Sequence, residues 1–288
     1  MAYVLMDMVE GHALDWDSLD DAAKKHVLEQ LADVFIKLSQ HPFSAIGCLY
    51  PSESDSATIG PITADDLADG GEDGSLSVLG PFSSSQSYLH ATIERNLGFI
   101  RAGKAYANAR IDAYLVHLYL LDSLPVLSKG SSDSEKFFLK HMDDKGDHIL
   151  VDDKFNIVGI IDWEWAQSLP KSDAFASPLF LLDVARYYEG YNELSTDETF
   201  FATVLEAKGH KELAELARLG RVQHRISHCV GGDVENSDDF PMLFAGLQKL
   251  LLGNDDPEVD WHSWRTSALK RYRSDVGLQA LLSAENPV

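Results

Sequence analysis

FFLKHMDDKGDHILVDDKFNIVGIIDWEWA, residues 137–166, sets acidic and basic side chains between strongly apolar runs. Two of those runs, His148-Ile-Leu-Val151 and Ile157-Val-Gly-Ile-Ile161, are β-branched, and Asp152-Asp-Lys-Phe-Asn156 separates them with turn-forming residues. That composition predicts two antiparallel strands joined by a turn, a β-hairpin over 148–162. With the turn centred near Lys154, strand register sets Asp162 opposite Gly146 and near His148. The end of the second strand then meets the charged loop 141–148, and the apolar runs fix where that charge sits.

Two carboxylates held close together repel one another, so a converging Asp143 and Asp162 either drive one pKa upward or bind a cation. A hard divalent ion held by one or two carboxylates, water and substrate phosphate is the simplest remedy, and magnesium prefers such oxygen ligands. Lys145 in the same loop offers a cation for a phosphoryl oxygen. The competing reading is a solvated acidic loop.

Outward from the hairpin the chain reads as helical. Leu28, Leu31, Val34, Phe35 and Leu38 recur at helical spacing within 18–40, with Ser18 as the expected N-cap. Further periodic stretches run over 84–102, 111–121, 178–189, 211–228, 241–252 and 261–282, and Ser195-Thr-Asp-Glu198 has the form of a capping box. Residues 3–9 read as a short strand, 46–50 and 58–62 as others, and 51–74 as an extended acidic loop. The expected class is α+β, mainly helical, with one hairpin set into the middle.

The chain is long enough, at 288 residues, for a substantial core. Lys and Arg number 24 against 46 Asp and Glu, and the formal charge of -22 argues against nucleic acid or an anionic membrane surface and favours a cationic ligand. Cys48 and Cys229 suggest buried thiols, neither a disulfide framework nor a metal site. No apolar stretch approaches the roughly 20 residues of a membrane span, so a cytoplasmic protein is expected.

His141-Met-Asp143-Asp-Lys145-Gly-Asp-His148, followed by strand, turn, strand and Ile161-Asp162-Trp, resembles the catalytic loop and metal-binding aspartate of the aminoglycoside phosphotransferase and choline kinase family, relatives of protein kinases. The family pattern is His-x-Asp-x-x-x-x-Asn, then Ile-Asp-Trp or similar. Gly80-Pro-Phe-Ser-Ser84 and Ala174-Phe-Ala-Ser-Pro178 resemble its fungal-type branch. The resemblance implies a protein-kinase-like C-terminal lobe over 12–288, with 1–11 as a hinge strand whose Asp7 and Val9 face adenine. It implies ATP and Mg2+ as cofactors, and a nucleotide and a small-molecule hydroxyl acceptor as partners. Asp143 becomes the catalytic base, Asp162 the magnesium ligand, His141 a loop-holding residue and Lys145 a support for the transferring phosphoryl group. Asp183 is placed to brace the loop, or else to sit on a helix surface.

Two departures qualify the match. His148 stands where the family carries a metal-binding asparagine, so it is a nucleotide- and metal-site candidate of altered chemistry. The small lobe with the glycine-rich loop and phosphate-binding lysine is expected to lie before Met1, and the cluster Gly70-Gly-Glu-Asp-Gly74 is too acidic to cradle phosphate. Two alternatives follow: a non-catalytic, pseudokinase-type binding module, and a hydrolase holding zinc or manganese on His141, Asp143, His148 and Asp162. The helix pair His224 and His228 reads as packing, and Trp163 and Trp165 as core.

Overall fold

The structure, a computed structural model, describes residues 7–52, 57–63, 79–127, 135–230, 240–252 and 260–285. It is α+β and mainly helical, with two small antiparallel sheets. Helix α1 (Asp21–Leu38) starts two residues later than expected because Asp20, not Ser18, caps it by accepting from the Ala23 amide. Ser18 instead donates its hydroxyl to the Asp15 carbonyl.

The first sheet has the order β1-β5-β6, built from His12–Ala13, Ile149–Val151 and Ile157–Ile160. Its hairpin is the predicted one, with Ile149 paired to Ile160 and Leu150 to Gly159. A register shift between Leu150 and Val151 pairs Val151 with Ile157, and the next rung is the Ile161 amide on the His148 carbonyl at 3.0 Å. Asp162 therefore lies one step past His148, one residue away from the register expected for it. The turn is locked by Asp152, which accepts from the amides of Lys154 and Asn156 and from the Asn156 side chain.

The second sheet, order β3-β2-β7-β4, joins Thr58–Gly60, Gly47–Tyr50, Gln167–Pro170 and Phe137–Lys140. Strand β4 leads straight into the charged loop, and β7 follows the 3-10 turn Trp163–Trp165. The loop and the end of the hairpin thus leave and return through one sheet.

The helices pack in two groups. One core joins α2 (Ser85–Ala102), α3 (Arg110–Leu127), α9 (Phe240–Leu252), α10 (Trp261–Arg271) and α11 (Val276–Glu285) through residues such as Ile93, Leu97, Tyr114, Leu120 and Phe244. The other joins α1 to α6 (Thr196–Ala207) and α7 (Lys211–Leu219), and Ile149, Val151 and Phe138 carry it beneath both sheets. The Ser195–Glu198 capping box is formed in full at the start of α6. Elsewhere the helical pattern is cut: Gly220 separates α7 from α8 (Arg221–Val230), and the stretch 178–189 holds a 3-10 turn before the five-residue α5 (Val184–Tyr188). Gly220 lies against the Ala176 backbone, where a Cβ would stand 2.8 Å from its Cα.

Among the described residues no helix is long and apolar enough to cross a membrane. Both cysteines are free and buried, as expected. The expected strand 3–9 is not formed over its described part, 7–9, and residues 3–6, 64–74 and their glycine cluster lie outside the described residues.

Candidate functional site

The site grows from the bend between β4 and β5. His141, the first residue after β4, is buried and points its imidazole back across the hairpin, where Nε2 lies 2.7 Å from the Ile161 carbonyl oxygen. Because a carbonyl only accepts, that nitrogen carries the proton and donates. The same ring stacks on His148 at 4.0 Å between centroids and meets the edge of Trp163 at 4.9 Å. Trp163 in turn donates its indole N–H to the Ile160 carbonyl at 2.8 Å. A loop residue, the first residue of the hairpin rung and the tryptophan after Asp162 thus form one clamp. Trp163 and Trp165 are half-buried in this arrangement and not core, because the 3-10 turn lifts them onto the surface of the sheet.

Asp162 is solvent-exposed and adopts a left-handed backbone, φ 60° and ψ 46°, which few residues other than glycine, asparagine and aspartate tolerate. This conformation turns the chain out of β6 and into the 3-10 turn. Asp143 and Lys145 form an ion pair at 2.8 Å, with side chains 40% and 72% exposed. Such an exposed pair adds little stability. Asp143, Asp147 and Asp162 all act electrostatically on His148, so the loop and hairpin carboxylates share one neighbourhood.

His148 itself is buried, and burial pulls its pKa down to about 4, with the neighbouring His141 pulling the same way. It is a neutral ring at ordinary pH. Its Nδ1, like that of His141, is enclosed without a partner among the described residues. Stacked flat against a second imidazole, the ring is held as part of the packing of the clamp.

Among the described residues no group of three or more His, Cys, Asp or Glu side chains converges to hold a metal ion. The expected four-ligand zinc or manganese set on His141, Asp143, His148 and Asp162 is therefore not assembled among the described residues. Asp162 alone, exposed at the strand end, fits an ion that brings other oxygen ligands with it.

The remaining candidates fall elsewhere. Val9 lies over β6, where a Cβ on Gly159 would stand 2.8 Å from its Cγ1, and Asp7 is exposed and outside any strand. Asp183 caps its own helix by accepting from the Arg186 amide at 3.2 Å. His224 faces the Ser177 carbonyl at 2.8 Å, and His228 meets the Tyr187 hydroxyl at 3.0 Å, so each has a structural partner of its own.

Beneath the exposed loop lies a polar layer that sequence reasoning missed. Asp144 is buried, and burial lifts its carboxyl to about 6 against the opposing pull of Lys140, whose ammonium is 3.8 Å away. Asp173 is raised to about 6 for the same first reason, and Lys140 opposes that shift too. The signal available was the Asp143-Asp144 doublet, since one of two adjacent residues beside a strand is commonly turned inward. No protein-family model, curated protein or solved structure matches this chain.

Proposed function

We propose that the described residues include the core of a protein-kinase-like C-terminal lobe from a phosphotransferase of the aminoglycoside phosphotransferase and choline kinase type, using ATP and Mg2+ to phosphorylate a hydroxyl of a small molecule. One observation carries the reading: His141 ties the acidic loop to the end of the hairpin through Ile161, and Asp143 and Asp162 both act electrostatically on the His148 ring stacked against it. Phosphoryl transfer asks a protein mainly for positioning and charge neutralisation, and this clamp supplies positioning.

Asp143, half-exposed, accepts the proton of the acceptor hydroxyl. Lys145 beside it contributes positive charge toward the phosphoryl oxygens. Asp162 would hold magnesium together with the nucleotide phosphates, and that ion when bound neutralises their charge. His148 takes no ligand role in this scheme.

A second reading, a binding module without transfer, is favoured by one fact. The position where the family ligates metal is filled by a ring buried in a stack.

Thermal unfolding with ATP or ADP, with and without Mg2+, separates the two. The first reading expects stabilisation of several degrees at a nucleotide concentration about 100 times Kd, dependent on magnesium and lost in Asp162→Asn. A shift indifferent to magnesium selects the second reading. No shift with any nucleotide removes support from both nucleotide-based readings.

A further inference from the structure

A cavity of about 330 Å3 opens between the second sheet and helices α2 and α8. Its volume lies within the range of small-molecule sites. Leu89, Leu169, Leu179 and Ile226 give it an apolar wall, and Met142, the residue before Asp143, lines it too. The cavity therefore adjoins the acidic loop.

The charged groups of the wall are already matched inside the protein. Lys140 pairs at 3.8 Å with Asp144, which lies outside the lining. Asp173 accepts from the Ser172 hydroxyl at 2.8 Å. Arg95 donates to the Asn96 side chain at 3.3 Å and lies 5.7 Å from the centre of the Phe99 ring. Lys140 and Arg95 are thus balanced in number by Asp144 and Asp173. His224 donates to the Ser177 carbonyl at 2.8 Å, and burial holds its pKa well below the ordinary value, so that ring is neutral. A charged guest would lose its hydration here and meet no unmatched counter-ion. What the wall still offers is neutral: among the described residues the side chains of Gln167, Gln223 and Ser227 form no hydrogen bond, and amides and hydroxyls suit a hydroxyl. The formal charge of -22, which favours cations over the molecule as a whole, is not repeated at this wall.

We infer that, given the phosphotransferase reading on which this rests, the acceptor is a neutral, largely apolar alcohol. Its body lies along Leu89, Leu169 and Ile226, and its hydroxyl turns toward Met142 and the loop.

Calorimetric titration of the whole chain without nucleotide, using 2-naphthalenemethanol, 2-naphthylmethylammonium and 2-naphthoate, holds the ring constant and changes only the head group. The alcohol is expected to bind at one site, and each charged analogue about 10- to 100-fold more weakly. Thr92→Trp, which places an indole in the cavity from α2, should abolish binding. In the unsubstituted chain, nuclear Overhauser contacts should run from the alcohol's methylene to the Met142 methyl and from its ring to Leu89 and Ile226, a measurement that needs no variant to fold. A charged analogue that binds as well as the alcohol, no alcohol binding up to about 1 mM, binding that survives Thr92→Trp, or a methylene that contacts Leu89 and Ile226 instead of Met142 would each overturn the inference. A thermal shift with Mg2+ and ATP but no alcohol binding strikes this inference alone. Alcohol binding without any nucleotide shift strikes the phosphotransferase reading and keeps the cavity as a site for a neutral ligand.

Discussion

Replacing His141 with alanine removes the clamp between loop and hairpin, and the structure allows its cost to be divided. The Nε2 bond to the Ile161 carbonyl is 2.7 Å long and partly buried, worth about 1 kcal/mol net. The stack on His148 and the edge contact with Trp163 add about 0.5–1.5 kcal/mol each, by analogy with aromatic pairs. Their sum, about 2–4 kcal/mol, stands well clear of the ±0.5 kcal/mol typical of a surface substitution. His141→Gln can still donate toward Ile161 while losing the stack, and should recover about 1 kcal/mol of that loss. Urea unfolding gives the totals. Amide exchange at Ile161, whose N–H is bonded to the His148 carbonyl, reports whether the opening is local. A loss below about 1 kcal/mol with unchanged protection at Ile161 would refute the clamp.

Two other outcomes follow from buried groups. His148 has its pKa lowered to about 4, so the folded state resists its protonation while the unfolded chain accepts a proton near 6.5. Its contribution is present above pH 6.5 and is lost as pH falls toward 4, to a total of about 3 kcal/mol. His148→Asn should flatten the stability profile in that window by up to about 1.4 kcal/mol per pH unit, and an unchanged slope in urea titrations would exclude this origin. The buried ion pair of Arg221 with Glu198, at 2.7 Å with side chains 4% and 1% exposed, should make Arg221→Met cost about 3–5 kcal/mol. Adding Glu198→Leu should return part of it, and a double-mutant cycle showing simple additivity would contradict the coupling.

The hairpin was legible because its evidence is local: β-branched runs, an Asp-to-Asn turn and a change of period all lie within fifteen residues of one another. The capping box of α6 was legible for the same reason. Of the second sheet, β2 and β3 were legible as the short strands expected at 46–50 and 58–62, but β7 was not, since it is Gln-Ser-Leu-Pro and gains its strand character only by pairing Phe138 with Leu169 and Cys48 with Gln167. Helix boundaries slipped where tertiary contact overrides periodicity, as at Gly220, which closes onto Ala176. At the site, spacing brought the loop and Asp162 into one neighbourhood. It did not reveal that His148 would turn inward onto His141, because a histidine at a strand's start reads equally as ligand or as packing. The row of Asp144, Lys140 and Asp173, the first buried and the other two half-buried, was invisible for a similar reason: burial of a charge depends on what covers it.

The central claim, that loop and hairpin form one seat for a metal-nucleotide complex, is tested most directly by paramagnetic broadening of the backbone NMR spectrum with Mn2+ and ATP. The account predicts that amides of Asp143, Lys145, Ile161 and Asp162 broaden together, and that Asp162→Asn removes the effect. Broadening that spares these four residues, or that survives Asp162→Asn undiminished, would contradict it.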